Sequence, residues 1–154
     1  MTKHAYVLRG LPGSGKTTHA RSRWYDSEAE AWRPGVAYCS ADDFFIGPDG
    51  VYRWSADRRQ DAHAYCLRKF AEAVFSGVDT VIVDNTNIRL WEASKYHDLA
   101  FAFGYEVEVI EFVAPPPVAL ARNVHNVRLE DHARMARTME TPLPFWRVTP
   151  VFTG

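Results

Sequence analysis

One stretch constrains this chain more than any other: YVLRGLPGSGKTTHA, Tyr6 to Ala20. A short β-branched and aromatic run stops at Gly10, and after Gly15 a lysine and two threonines open a polar helical segment. A strand that passes through glycines into a helix N-terminus leaves backbone N–H groups free to curl around an oxyanion. The helix adds its partial positive charge there. The spacing Gly10-x4-Gly15-Lys16-Thr17 is that of a Walker A loop. In such a loop Pro12, Gly13, Ser14, Gly15, Lys16, Thr17 and Thr18 cradle the phosphates of a nucleotide. Lys16 bridges the outer phosphates and the Thr17 hydroxyl holds Mg²⁺. With glycine near 7% of residues, a chance match has odds on the order of one in two hundred. A glycine turn without a ligand is therefore set aside.

The rest of the chain alternates strand and helix signals. A polar helix runs from Lys16 towards Trp32, where Arg33–Gly35 stops it. VAYCSADDFF supplies a strand ending near Ser40, and GPDG at Gly47–Gly50 a turn. A long helix follows, capped by Ser55 and closed by Gly77. Its apolar positions Ala62, Tyr65, Cys66, Phe70, Ala73 and Val74 fall at helical intervals. DTVIVD reads as a buried strand, LWEASKYHDLAFAFG as a helix stopped by Gly104, and YEVEVIEFV as a strand with one wetter face. PPPVALARNV starts a helix, and a last helix covers about Asp131 to Glu140, after which prolines break the chain. This order predicts an α/β, P-loop NTPase-like three-layer sandwich. A parallel sheet of four to five strands carries helices on both faces and a helical lid at about 122–137.

Length and composition narrow the classes. The 154 residues suit one domain, 1–154, and 47% apolar against 24% charged residues is an ordinary soluble balance. A net charge of −1 argues against coating long nucleic acid by bulk charge, while leaving room for a local basic groove. Cys39 and Cys66 have no metal spacing, so a reduced, cytoplasmic setting is expected (a host cytoplasm if the chain is phage-encoded). The N-terminus has no apolar signal core, and no run approaches the roughly 18 apolar residues of a membrane helix. No membrane partner is expected, and a homo-oligomer is left open.

In parallel α/β sheets ligands collect at the carboxyl ends of the strands. There stand Asp42 and Asp43, which read blandly as turn or capping aspartates. Beside a phosphate loop, a carboxylate has another use: it accepts an acceptor hydroxyl's proton and aims its oxygen at the γ-phosphorus. Asp42 is the first choice for that base and Asp43 the fallback. VIVDNTN resembles a Walker B strand, with Asp84 holding Mg²⁺ directly or through water. Asn85, Thr86 and Asn87 offer neutral polar groups to an acceptor, or simply cap the next helix.

Four arginines, Arg122, Arg128, Arg134 and Arg137, crowd the segment LARNVHNVRLEDHARMARTME. Singly each is as well explained by a solvated helix face. As a group they fit a lid over the triphosphate, with Arg122 foremost on the transferring phosphoryl group and His125 sharing the role. Phe44, Phe45, Tyr52 and Trp54 lie where an acceptor would approach and could stack a base, although aromatics more often build core. His4, His19, His63, His97 and His132 make no ligand spacing and are read as structural or surface groups. Trp24, Trp32 and Trp91 are read as packing.

GLPGSGKTT, ADDFF, VIVDNTN, ARNVHNV and ARMART, in that order from Tyr6 to about Glu140, resemble the P-loop 5′-hydroxyl polynucleotide kinase family, bacteriophage members included. The resemblance implies transfer of the γ-phosphate of ATP, with Mg²⁺, to 5′-OH ends of DNA or RNA. It also implies a role in repair of cleaved ends. It makes Asp42 the general base and Arg122 the lid arginine. Two positions depart from the phage pattern. Phe45 stands where an arginine near the acceptor phosphate is common, and Asn126 stands where a second lid arginine falls, with Arg128 two residues on. Two other readings stay open: a small-metabolite or nucleoside kinase on the same scaffold, and a non-catalytic ATP-binding adaptor. Retention of Lys16, Asp42 and Asp84 together argues against a dead site.

Overall fold

The structure, a computed structural model, describes residues 2–122 and 127–153. Its elements follow the chain as β1 (His4–Arg9), α1 (Lys16–Trp24), β2 (Tyr25–Asp26), β3 (Ala31–Trp32), β4 (Val36–Cys39), α2 (Arg59–Phe75), β5 (Thr80–Asp84), α3 (Leu90–Ala102), β6 (Glu106–Val113), α4 (Pro116–Ala121), α5 (Leu129–Thr138) and β7 (Val148–Phe152). A 3₁₀ turn at Ala41–Phe45 follows β4. Five strands form one parallel sheet in the order β4-β5-β1-β6-β7.

Strand side chains alternate between faces, and that period divides the core in two. Ala5, Val7, Val81, Val83, Val107 and Val109 face α2 and α3, where they meet Ala62, Cys66, Phe70 and Tyr96. Tyr6, Leu8, Ile82, Ile110 and Phe112 face the other way, onto Ala20 and Trp24 of α1. Each fully buried aliphatic or aromatic side chain contributes roughly 1.5–3 kcal/mol. The sheet thus needs helices on both faces, and Asp84, two residues beyond Ile82, is carried onto the α1 side.

Arg9, at the end of β1, is fully buried, and its guanidinium is satisfied by carbonyls. It donates to Asn87 O at 3.0 Å, Ile88 O at 2.9 Å and Glu140 O at 2.8 Å, with the Glu111 carboxylate at 3.3 Å. A buried cation is tolerated only with such partners. This one ties the β5–α3 turn and the chain after α5 to the central strand, next to the phosphate loop.

Four elements differ from expectation. The long helix α2 begins at Arg59, behind a 3₁₀ turn at Ala56–Arg58, so Ser55 opens that turn and does not cap the helix. The helix from Lys16 ends at Trp24, not near Trp32. Asp26 Oδ1 accepts from the Glu28 and Ala29 N–H groups, Glu30 takes φ 52°, and β2 and β3 close a hairpin. The aromatic side chains favour it: Trp32 meets Tyr25 edge-on at 5.1 Å and stacks on Tyr38 at 4.1 Å. The last helix is Leu129–Thr138, two residues earlier than expected at each end. Beyond the prolines the chain resumes as β7, a fifth strand at the sheet edge. Its Pro150 sits opposite Glu111, and an edge strand accommodates a residue without an N–H. Among the described residues no helix is long and apolar enough to cross a membrane.

Candidate active site

The loop between β1 and α1 is shaped by two left-handed glycines, Gly13 (φ 82°) and Gly15 (φ 99°). Gly13 is also pressed against α4: a Cβ there would lie 1.9 Å from Ala119 O. Gly15 caps α1 without a side-chain bond, so the first-turn N–H groups are left for a ligand. Lys16 is almost buried, and its Nζ donates to the Gly10 and Leu11 carbonyls, each at 3.0 Å. Burial pushes its pKa down, against the pull of Asp84 and Asp42. Ser14 Oγ is buried with no hydrogen-bond partner among the described residues. A loop with left-handed glycines, a helix N-terminus and an unpaired hydroxyl fits a phosphate group.

Two further contacts brace this loop. Thr153 Oγ1 donates to Ser14 O at 2.8 Å, and the His132 ring lies with Nε2 3.0 Å from Pro12 O. Both come from the C-terminal third of the chain, so β7 and α5 close around the loop.

At the end of β5, Asp84 meets α1. Its Oδ2 accepts from Thr17 Oγ1 at 2.7 Å and from the Tyr38 hydroxyl at 2.5 Å. Burial and the Asp84 charge push the Tyr38 phenol up, which keeps it a donor. Mg²⁺ prefers oxygen ligands and takes one or two from protein, with phosphate and water supplying the others. Thr17 and Asp84 fit that pattern. Among the described residues no cluster of three or more His, Cys, Asp or Glu side chains forms a separate protein-only cage.

Two cavities share Pro12 of the loop. One, about 480 Å³, is lined by Gly15, Lys16, Thr17, His19, Arg122 and Thr153 among others. The second, about 270 Å³, is bordered by Asp42, Tyr52, Trp54, His63, Thr86 and Arg134. The adjacent aspartates separate because they stand on the 3₁₀ turn, where successive side chains diverge by about 120°. Asp42 borders the second cavity and Asp43 lines neither. The Tyr52 hydroxyl reaches towards Asp42 Oδ1 at 3.4 Å. Burial pushes the Asp43 carboxyl up, opposed by Lys69 and reinforced by Asp42 and Asp84.

The remaining candidates divide. Thr86 borders the second cavity, and its carbonyl accepts from Gly10 N–H at 2.9 Å. Asn85 borders it too, but its amide is engaged: Oδ1 accepts from Ala41 N–H at 2.9 Å, and Nδ2 points to Cys66 and Tyr96. Asn87 departs from the expected acceptor contact. It is buried at φ 48°, with Nδ2 donating to Leu8 O at 2.8 Å, so its amide braces β1. Arg122 stands on the loop-side cavity, whereas Arg128 and Arg134 stand on the Asp42 side, where both pair with Asp131. Arg137 is exposed. His125 and Asn126 lie outside the described residues.

Some site residues were not expected. His63 lines the Asp42 cavity, and burial holds its imidazole below the ordinary value. Tyr38 shares the strand face of Ile82 and therefore reaches Asp84; its place in an alternating strand was the available signal. His132, three residues before Met135 on an inward helix face, had a weaker one. Thr153 had none without β7. Trp24 is buried as expected, but Trp91 is 66% exposed and stands outside the core.

A family model described as AAA domain matches residues 6–142. Human NEDD4-binding protein 2 is 32% identical over 133 residues, 84% of this chain and 7% of that protein. The chain spans about a tenth or less of the first curated relatives it matches. Among solved structures, a putative kinase from Chloroflexus aurantiacus superposes with a TM-score of 0.68 at 19% identity, covering 98% of this chain and 85% of that one. A chain of the Pnkp1/Rnl/Hen1 complex gives 0.62 at 18% identity, covering 99% and 47%. At such identities the structures establish a shared kinase-like P-loop fold.

Proposed function

The chain belongs to the AAA domain family, on a kinase-like P-loop fold, and from that premise we propose that residues 1–154 form an ATP-dependent polynucleotide kinase domain. It transfers the γ-phosphate of ATP to 5′-OH ends of DNA or RNA. The observation that carries this reading is the pair of cavities meeting at Pro12, one lined by Lys16 and Thr17, the other by Asp42. A protein that only binds ATP needs the first cavity alone.

Asp42 takes the proton of the acceptor 5′-OH as that oxygen bonds to the γ-phosphorus. The bond from the γ-phosphorus to its bridging oxygen breaks, and ADP carries away the electron pair. Lys16 and the α1 N-terminus hold the phosphates, and Arg122 offsets charge that grows on the transferring group. Thr17 and Asp84 would hold Mg²⁺, which supplies charge neutralisation at the phosphates. On the acceptor side Trp54 offers a base a π-face, and Arg128 and Arg134 offer charge to the next phosphate. A neutral sugar has no need of those cations. Restoring 5′-phosphates on cleaved strands is the process such an activity would serve.

A nucleoside-kinase reading draws on the modest 270 Å³ of the Asp42 cavity, which suits a single nucleoside. One assay separates the readings: γ-labelled ATP with a 5′-OH DNA oligomer, a 5′-OH RNA oligomer, free nucleosides, or buffer alone. Label on the oligomers is expected. Label on nucleosides alone would make the chain a nucleoside kinase, and label on no acceptor would leave an ATP-binding adaptor.

A further inference from the structure

A third depression, about 830 Å³, adjoins the Asp42 cavity and shares Arg59, His63, Thr86, Arg134 and Met135 with it. It runs between α2 and the first turns of α3. Its lining holds four cationic side chains, Arg59, Arg89, Lys95 and Arg134, and one carboxylate, Glu92. The chain as a whole carries a net charge of −1, so this is a local concentration of positive charge. Glu92 is turned to its own helix, where it accepts the Arg89 N–H at 2.9 Å. Arg89 also pairs with Glu140 at 3.1 Å and Arg134 with Asp131 at 3.3 Å, yet a guanidinium has five donors and keeps some for a ligand.

Trp91 stands in the same groove, 66% exposed, with Lys95 Nζ 5.4 Å from its ring. A lone exposed tryptophan or a cationic helix face is common. An exposed indole beside four cations, in a groove opening into a cavity that already holds the exposed Trp54, is a more specific arrangement. Cations spaced along a groove with π-faces between them match a single strand of nucleic acid: phosphates meet the cations, bases stack, and no sequence is read.

We propose that this groove carries the nucleotides that follow the reacting 5′ end, with Trp91 stacking a base and Lys95 and Arg89 meeting the backbone. The proposal rests on the polynucleotide-kinase reading and gives that site a minimum substrate length. A strand that fills the groove gains contacts that a mononucleotide lacks.

The test uses 5′-OH acceptors of rising length, from a nucleoside 3′-monophosphate to an octamer, with wild type, Trp91→Ala and Lys95→Ala. Binding of a fluorescent octamer is also measured by anisotropy without ATP. The expected result is a KM that falls with length. Trp91→Ala should raise the octamer KM by about five- to hundred-fold and leave mononucleotide kinetics unchanged. Both variants should weaken octamer binding, and Lys95→Ala should also flatten its salt dependence. Transfer with a length-independent KM, or equal losses on both substrates, overturns the groove and leaves the kinase reading standing. Octamer binding that the variants weaken, without any transfer, supports the groove and overturns the kinase reading. Absence of both binding and transfer overturns the two together.

Discussion

Replacing Gly13 with alanine strains the phosphate loop in two separate ways. Its φ of 82° lies in the left-handed region, where an L residue loses roughly 1–2 kcal/mol. The new Cβ would also stand 1.9 Å from Ala119 O and 2.9 Å from Ala119 C, so the loop or α4 must shift by more than about 1 Å to restore contact distance. Forced overpacking of this kind costs typically ~1–3 kcal/mol, giving about 2–5 kcal/mol in all. Gly15 is the internal control. Its φ is 99°, but the nearest atom to its Cβ is the flexible Thr153 Cγ2 at 3.5 Å, an ordinary contact. Gly15→Ala should therefore cost only the backbone share, roughly 1–2 kcal/mol. The difference, about 1–3 kcal/mol, corresponds to about 2–12 °C in Tm for a domain of this size. Thermal unfolding of the two variants without nucleotide reads it directly, and an ATP titration should show the weaker binding for Gly13→Ala. If Gly13→Ala melts at or above Gly15→Ala, the packing of the loop against α4 is wrong.

Lys16→Met should abolish phosphoryl transfer while the fold is retained, with a Tm loss confined to what the Gly10 and Leu11 carbonyls lose with their Nζ donor; a chain that no longer folds would make Lys16 a structural residue instead. Tyr38→Phe removes one of two donors to Asp84 Oδ2, so the Mg²⁺ concentration needed for half-maximal activity should rise while metal-free ATP binding holds; an unchanged metal titration would sever Tyr38 from the site. Burial, aided by Lys95, holds the His63 imidazole below its ordinary 6.5, so near that pH the unfolded chain binds a proton that the native state refuses. Wild type should accordingly lose stability as the pH falls through 6.5, and His63→Gln should lose less; parallel Tm profiles would contradict this.

The readable parts of the sequence were those written in local chemistry. Gly10 to Thr18 encodes its loop because left-handed glycines and a helix start leave few alternatives. Asp84, the last residue of β5, and Asp42, on the turn that follows β4, are legible because parallel strands deliver their carboxyl ends to one edge. Long-range geometry was not legible. The two-residue strands β2 and β3 are too short for any period to register, and a Tyr25–Trp32–Tyr38 aromatic cluster overrides the polar helix that the residues after Trp24 suggest. The strand β7 was hidden by Pro150, which reads as a breaker until its edge position is known. Asn87 looked like an acceptor contact because it neighbours Asp84. Its actual partner, Leu8 O, is 79 residues away in sequence. Trp91 reads as packing because it is a large aromatic, and only the orientation of α3 shows that it faces outward.

Two carboxylates border the smaller cavity, and Asp131 is paired with Arg128 and Arg134, so if the proposed transfer uses a base there it falls to Asp42, and Asp42→Asn beside Asp43→Asn separates the possibilities. The two aspartates are adjacent, yet only Asp42 lines that cavity. General base catalysis is typically worth ~10²–10⁴ in rate, about 3–5 kcal/mol at the transition state. Asn is nearly isosteric with Asp and a far poorer proton acceptor. The measurement is single-turnover transfer of labelled phosphate from ATP to a 5′-OH oligomer, with ATP·Mg²⁺ affinity determined in parallel. Asp42→Asn should bind ATP·Mg²⁺ as wild type does and transfer at least about 10²-fold more slowly, while Asp43→Asn loses much less. Full transfer by Asp42→Asn, with the loss falling on Asp43→Asn or on neither, would remove Asp42 as the base.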